Sequence, residues 1–400
     1  MPEAVIVATG RTPIGRANKG SLVECRPDDL TALVISEVLA KVPALASSEV
    51  EDVMVGCGQP AGEAGYNVAR VAAILAGLDV PGVTVNRYCS SSLQTIRMAA
   101  HAIKAGEGQV FVAAGVETVS RFQYGASDVG PHNVAFADAE ARTAKRAPAV
   151  TDAWTAPLGL PDVYIAMGQT AENVAEYEKV SREDQDEFAL RSQQRAVASQ
   201  ENGFFEREII PVELPDGKRF TKDDGPRPGT TLEALSNLKP VFRDGGTVTA
   251  GNACPLNDGA AAVVVMSDTR AADLGITPLA RIVSSGVSAL DPEIMGLGPI
   301  GASRQALGRA GMTIDDVDLV EINEAFAAQV LPSARHLGIP IEKLNVKGGS
   351  IALGHPFGMT GARIMTTLLN ALEDEDATIG LETMCVGGGQ GMAMIVERLS

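Results

Sequence analysis

Short runs of Val, Ile and Ala, each of strand length, alternate along the chain with stretches whose apolar residues recur at helical spacing. Residues 4–8 read as a strand and 28–41 as a helix with Leu30, Leu33, Val34 and Val38 on one face. Strands at 53–55, 83–86 and 109–114 and helices at 67–76 and 90–104 follow, so the first 120 residues form one layered β/α unit. Near residue 121 the texture changes. Pro, Asp and Arg become frequent, strand patterns vanish, and the clearest element is a polar helix at 182–200, opened by the capping signature Ser181-Arg182-Glu183-Asp184. Strand character returns at 260–266. A second β/α set then carries strands near 280–284, 318–322 and 392–397 and a helix at 362–372.

The two sets echo each other. Val50-Glu51-Asp52-Val53-Met54-Val55 resembles Val317-Asp318-Leu319-Val320-Glu321-Ile322, and the stretch from Asn257 to Val265 resembles the one from Gly389 to Val396. The two echoes have different offsets, which excludes a simple tandem period. A duplicated α/β fold with a long insertion in its first half accounts for both.

Composition narrows the function. With 33 Lys and Arg against 50 Asp and Glu, the formal charge is −17 at pH 7, and no basic run is present, so a nucleic-acid partner is excluded. Hydrophobic content of 45% excludes disorder. The first residues lack a basic stretch followed by an apolar one, and no run approaches the roughly 18 apolar residues of a membrane span. No membrane partner and a cytoplasmic location are expected. Five Cys, at 25, 57, 89, 254 and 385, fit neither a disulfide framework nor metal-ligand spacing, so free thiols and no metal site are expected.

Searches for a phosphate-binding Gly-x-x-x-x-Gly-Lys-Ser/Thr loop, a Gly-x-Ser-x-Gly elbow, Cys-x-x-Cys and His-Glu-x-x-His find nothing. The Gly-rich run from Cys385 to Gly391 precedes a strand, whereas a dinucleotide fingerprint opens a helix. The most informative segment is Asn86-Arg87-Tyr88-Cys89-Ser90-Ser91-Ser92, where a strand stops and a helix starts with a cysteine at the turn. Backbone N–H groups and the helix dipole there are expected to lower the thiol pKa and favour the nucleophilic thiolate. The alternative is a small buried Cys that only packs. Asn323-Glu324-Ala325-Phe326 follows a strand and opens a helix, so Asn323 is either a functional amide or an N-cap. His355 stands at the tip of the Gly-rich turn Gly354-His355-Pro356-Phe357-Gly358, and Cys385 at a strand end beside free N–H groups. Cys25 and Cys57 are assigned to packing, and His101 to the surface.

In this order, these segments resemble the thiolase family, the acetyl-CoA C-acyltransferases, over essentially the whole chain. Further matches are Arg11-Thr12-Pro13-Ile14-Gly15, the stretch from Met167 to Ala175, Thr249-Ala250-Gly251-Asn252 and Asn257-Asp258-Gly259-Ala260-Ala261. The resemblance implies two βαβαβαββ halves in a five-layer αβαβα arrangement: residues 1–120 with 251–270, and 271–400, with a loop domain at 121–250 over coenzyme A. It implies thiolytic cleavage of 3-oxoacyl-CoA by CoA, of the fatty-acid β-oxidation type, through an acyl-cysteine. Alternatives are an acetyltransferase making acetoacetyl-CoA from two acetyl-CoA and, more remotely, a non-catalytic acyl-CoA-binding protein.

By the same resemblance Cys89 is the nucleophile, His355 its base and Cys385 a second acid/base. The oxyanion donors are His355 with a water held by Asn323, and the backbone N–H groups of Cys89 and Gly387. Arg227, Phe242, Ala250 and Cys254 align with the CoA walls, and Met167, Met295, Ala325 and Phe326 with the acyl walls. No permanently bound cofactor is implied; CoA and acyl-CoA are substrates, and the assembly is a dimer or tetramer. Between Lys218 and Arg243 six basic residues (Lys218, Arg219, Lys222, Arg227, Lys239, Arg243) face three acidic ones (Asp223, Asp224, Glu233), a local surplus suited to an anionic cofactor. Three departures stand out: Ser92 for the usual Gly, expected to alter acyl size; Cys254 for a common Ser, weakening a pantetheine hydrogen bond; and Ala166 for the His of many acetoacetyl-forming members, which favours the degradative reading.

Overall fold

The computed structural model describes residues 2–148 and 153–400. Its first half contains β1 (Ala4–Arg11), α1 (Pro27–Ala40), β2 (Asp52–Cys57), α2 (Val68–Leu75), β3 (Gly82–Val85), α3 (Ser91–Ala105), β4 (Val110–Thr118) and, after a long excursion, β5 (Asn257–Ser267). The excursion holds α4 (Met167–Tyr177) and α5 (Arg182–Glu201). The second half contains β6 (Ala280–Ala289), α6 (Gly298–Ala310), β7 (Leu319–Ile322), α7 (Ala327–Leu337), α8 (Thr360–Asp374), β8 (Ile379–Val386) and β9 (Gln390–Arg398).

The strands run in the order β7-β8-β9-β6-β1-β5-β4-β2-β3, and the halves meet where β1 and β6 pair through Val5 with Arg281 and Ile6 with Ala280. The pairing is mixed rather than all parallel: β2 is parallel to β3 and β4, and β7 to β8, while β5, β9 and their neighbours are antiparallel. This topology explains the echoes in the sequence, because β2 and β7 hold the same place in their sheets, as do β5 and β9. The link from β4 to β5 contains the excursion, whereas its counterpart from β8 to β9 is only Gly387–Gly389. One element is reduced: the second half's counterpart of β3 is a single parallel bridge from Val320 to Leu344.

Side chains on successive strand residues point to opposite faces, so a strand buried on both sides serves two cores. In β5, Ala261, Val263 and Val265 join the core around α3 and α8, while Ala260, Ala262, Val264 and Met266 join the core under α1 and α2. In β9, Met392, Met394 and Val396 face α8, and Ala393 and Ile395 face α6 and α7. The result is five layers, helix, sheet, helix, sheet, helix, with α3 and α8 in the middle.

The excursion is not strand-free as expected: Val212–Glu213 and Arg219–Phe220 form a small two-stranded ribbon, too short to leave a periodic signal. The Ser181 hydroxyl accepts the Asp184 N–H at 3.0 Å and caps α5. Although α5 is polar in composition, it buries Gln185, Asp186, Phe188, Ser192 and Gln193. Among the described residues no helix is long and apolar enough to cross a membrane, and no group of His, Cys, Asp or Glu is arranged to hold a metal.

Candidate active site

The nucleophile candidate sits in a tightly pinned turn. Tyr88, just before Cys89, has φ of 42°, a left-handed conformation that a non-glycine residue adopts at a cost of about 1–2 kcal/mol. Surrounding bonds hold it there: the Tyr88 N–H donates to Asn86 Oδ1 at 2.8 Å, and Ser91 Oγ accepts the Arg87 N–H at 2.9 Å while donating to the Tyr88 carbonyl at 2.7 Å. Cys89 is half-buried at the start of α3. Burial pushes its thiol up to about 11, while the backbone N–H groups of Gly387 and of Cys89 itself pull it down. The expected thiolate is therefore corrected: desolvation outweighs the helix terminus, the sulfur rests as a thiol, and a base is needed to activate it.

Cys385 is fully buried at the end of β8, and its pKa is raised by burial and by the nearby thiols of Cys89 and Cys254. The turn after it reverses through Gly388 and Gly389 at φ of 78° and 81°, and a Cβ on Gly389 would stand 2.3 Å from the Leu290 carbonyl oxygen, so only glycine fits. Gly387, between them and Cys385, lies against the Tyr88 ring and the Met167 sulfur.

His355 is 1% exposed, in the turn between α7 and α8. Its backbone N–H donates to Asn257 Oδ1 at 3.0 Å. Its Nδ1 lies 2.6 Å from Thr360 Oγ1, which itself donates to the Pro356 carbonyl. A hydroxyl has one proton, so Thr360 must accept from His355, placing the ring proton on Nδ1 and leaving the Nε2 lone pair free. That lone pair faces Asn323 Nδ2 at 3.3 Å. Burial and the charge of Arg363 press the His355 pKa down to about 3, so the ring is neutral and able to accept a proton.

The N-cap alternative for Asn323 fails: α7 begins at Ala327 after Phe326, with no side-chain cap. Asn323 instead bonds His355 and accepts from Ser350 Oγ at 2.6 Å, while Gln329 Nε2 holds its carbonyl at 2.7 Å. Buried Glu117 clamps this region to the first half by accepting the N–H groups of Gly58, Gln59 and Gly358, and burial raises its pKa to about 7.

Met167, Phe242, Cys254, Met295, Ala325 and Phe326 gather with Cys385 in one apolar cluster, in which the Phe242 and Phe326 rings meet edge to face at 6.1 Å. The Cys254 N–H donates to the Ala325 carbonyl at 3.0 Å. Arg227 and Ala250 line a separate cleft, with Arg16, Gln193 and Ile351. The local charge surplus needs correction. Arg243 turns inward to Glu176, Gln169 and Asn173, Asp223 is engaged by Arg11, and Lys218 pairs with Asp216. Of the six basic residues only Arg227 lines the cleft, joined by Arg16, which the charge count overlooked.

The Ser92 hydroxyl accepts the Ala362 N–H at 2.9 Å, satisfying a donor in the first turn of α8. Cys25 and Cys57 are buried, and His101 is exposed, as read from the sequence. Sequence reasoning gave no role to Asn257, which lies in a quoted motif, or to Thr360, two residues past the turn at His355, and it missed Ser350, Arg363 and Glu117. Their only signal is a polar residue within an apolar or Gly-rich run.

A duplicated α/β fold in which Cys89 neighbours the buried Cys385, and a buried neutral His355 bonds Asn323, is an arrangement suited to thiol-dependent acyl transfer. Comparison with known proteins identifies the family. The model of the thiolase N-terminal domain matches residues 4–269 and that of the thiolase C-terminal domain residues 276–398, and the chain belongs to the thiolase family. It is 46% identical over 410 residues to the 3-oxoadipyl-CoA/3-oxo-5,6-dehydrosuberyl-CoA thiolase of Escherichia coli K12, and 45% identical over 409 residues to the 3-ketoacyl-CoA thiolase of Aeromonas salmonicida, covering 100% of each chain. A crystal structure of the Bacillus anthracis acetyl-CoA acetyltransferase superposes with a TM-score of 0.86 at 38% identity, over 100% of this chain and 99% of that one. As a thiolase the protein is an acyltransferase working on coenzyme A thioesters.

Proposed function

We propose that the protein cleaves 3-oxoacyl-CoA with CoA, giving acetyl-CoA and a shortened acyl-CoA, through an acyl group on Cys89. The observation that carries this reading is the neutral His355, whose unprotonated Nε2 faces Asn323, together with Cys89, which rests as a thiol near the buried thiol of Cys385. Cys89 passes its proton to His355, and its sulfur bonds to the 3-oxo carbon. The bond from that carbon to C2 breaks, its electron pair goes to the acetyl-CoA enolate, and Cys385 donates a proton to C2. A second CoA gives its proton to the Cys385 thiolate and attacks the acyl-cysteine, and the released Cys89 thiolate recovers the proton from His355.

Each stage builds negative charge on an oxygen and needs fixed donors. The N–H groups of Cys89 and Gly387 act on the Cys89 sulfur, so they suit a carbonyl bonded to it. Asn323 and His355 then serve the other oxygen, that of the enolate. Arg227 and Arg16 take the phosphate end of CoA, Ala250 and Cys254 flank the pantetheine arm, and the Met167, Met295 and Phe326 cluster receives the acyl chain.

The three relatives are named for different acyl groups, so chain length rests on this protein's own pocket; Ala166 favours a degradative role over acetoacetyl-CoA synthesis. A dimer or tetramer in the cytoplasm is the setting we infer. β3 forms the free edge of the sheet, is half-buried along its length, and adjoins the fully exposed Tyr66, an edge suited to pairing with another chain. Thiolysis rates across 3-oxoacyl-CoA substrates of four to sixteen carbons test the reading. A broad profile supports the degradative role, and a sharp optimum at four carbons favours the acetoacetyl-CoA reaction.

A further inference from the structure

We propose that Ser350 and Arg363 are positioning residues, which fix the side-chain amide of Asn323 so that its N–H2 group, and not its oxygen, faces His355. The inference rests on the thiolase reading above, in which Asn323 supplies a donor. An asparagine amide has nearly the same shape in either orientation, but one presents hydrogen-bond donors and the other an acceptor. In a site that must stabilise an enolate oxygen, the wrong orientation would place an oxygen lone pair against a developing negative charge.

The bonds behind Asn323 leave one arrangement. Arg363 Nη2 lies 2.9 Å from Ser350 Oγ, and Ser350 Oγ lies 2.6 Å from Asn323 Oδ1. A guanidinium only donates, so Arg363 takes a lone pair of the Ser350 hydroxyl and turns its single proton toward Asn323. The amide oxygen is thereby held on the Ser350 side, and Nδ2 remains for His355 at 3.3 Å. Arg363, Ser350 and Asn323 are 1%, 0% and 1% exposed, so bulk water is excluded as a competitor for these bonds. Inside the fold such a chain is stronger than in solvent, and breaking it leaves buried groups unpaired.

Arg363 stands in the first turn of α8 with its Nη2 bond to Ser350 as its one side-chain hydrogen bond among the described residues, and its charge lies near the buried carboxyl groups of Glu321, Glu208 and Glu382. Glu321 and Glu382 face each other in register on β7 and β8. Ser350 follows Gly349, where a Cβ would stand 2.2 Å from the Glu324 carboxyl carbon, so the backbone carrying the hydroxyl is packed directly on the residue after Asn323. The relay thus joins Arg363 on α8 and Ser350 to Asn323 at the end of β7, and only Asn323 is placed on the reacting oxygen.

The test separates positioning from general damage by measuring two reactions of one protein. Thiolysis passes through the enolate; exchange of labelled CoA into acetyl-CoA needs only transfer of the acetyl group to Cys89 and back. Ser350→Ala should lower kcat for thiolysis roughly tenfold to a hundredfold, with KM and the exchange rate within about threefold of the parent. Ser350→Cys, close in size but a weak donor, should show the same split if the alanine variant folds poorly. A parallel fall of both rates in either variant, or unchanged thiolysis, would overturn the inference. A parent protein that exchanges CoA but does not thiolyse would overturn the functional reading, and this inference with it.

Discussion

The hydroxyl of Thr360 stands 2.6 Å from His355 Nδ1 and hands its own proton to the Pro356 carbonyl, so one threonine decides which nitrogen of the histidine is free to act as a base. Thr360→Val keeps the shape and removes the acceptor, leaving a buried N–H unpaired at a cost of about 1–3 kcal/mol. A fall in the urea midpoint and a drop in kcat of roughly tenfold are expected, because the competing tautomer carries its proton on Nε2. Full activity in this variant would show that Thr360 does not set the tautomer.

The raised thiol of Cys89 predicts a pH dependence. Below its pKa a thiol loses its proton tenfold more often per pH unit, so a pKa near 11 means that the rate of alkylation by iodoacetamide keeps climbing through pH 9 and 10. Peptide mapping of the labelled protein over that range follows it. A plateau below pH 8 would mean that the helix terminus does hold a thiolate at rest. With its pKa near 3, His355 contributes no acid limb to such a curve above pH 5.

Arg227 and Arg243 came from one stretch of sequence but do different things. Arg227→Ala is expected to raise KM for CoA severalfold with kcat unchanged. Arg243→Ala, which removes the partners of the Gln169 and Asn173 amide oxygens while Glu176 keeps Arg146, is expected to cost about 1–3 kcal/mol of stability. Steady-state kinetics and denaturant titration of both variants distinguish them; the reverse pattern would remove Arg227 from the CoA cleft.

Ser92→Gly should cost about 1 kcal/mol, as for a lost helix cap, and leave the chain-length profile of thiolysis unchanged, since the Ser92 hydroxyl is engaged by Ala362. A shifted profile would return Ser92 to the acyl pocket.

Much of this was legible in the sequence. The strands β1, β2, β5 and β9 announce themselves as apolar runs because both faces are buried, and the repeated patterns in β2 and β7 and in β5 and β9 mark the duplication. α6 was obscured by its Gly and Pro residues, and the third strand of the second half by its reduction to one bridge at Leu344. Cys89, Asn323, His355 and Cys385 stand at element ends in recognisable turns. What supports them does not: Ser350 and Arg363 act through a hydroxyl proton and a lone pair, and neither leaves a periodicity. Charge counting failed at Arg243 and Asp223 for a related reason, because a tally cannot tell an inward-facing ion from one facing a ligand.

The central claim, an acyl group carried on Cys89, is tested most directly by the intact mass of the protein after incubation with acetyl-CoA, followed by mapping of the modified peptide. One acetyl group per chain on Cys89, removed by added CoA and absent from Cys89→Ala, is the predicted result. Acetylation at another residue with Cys89 unmodified, or turnover by Cys89→Ala, would contradict it.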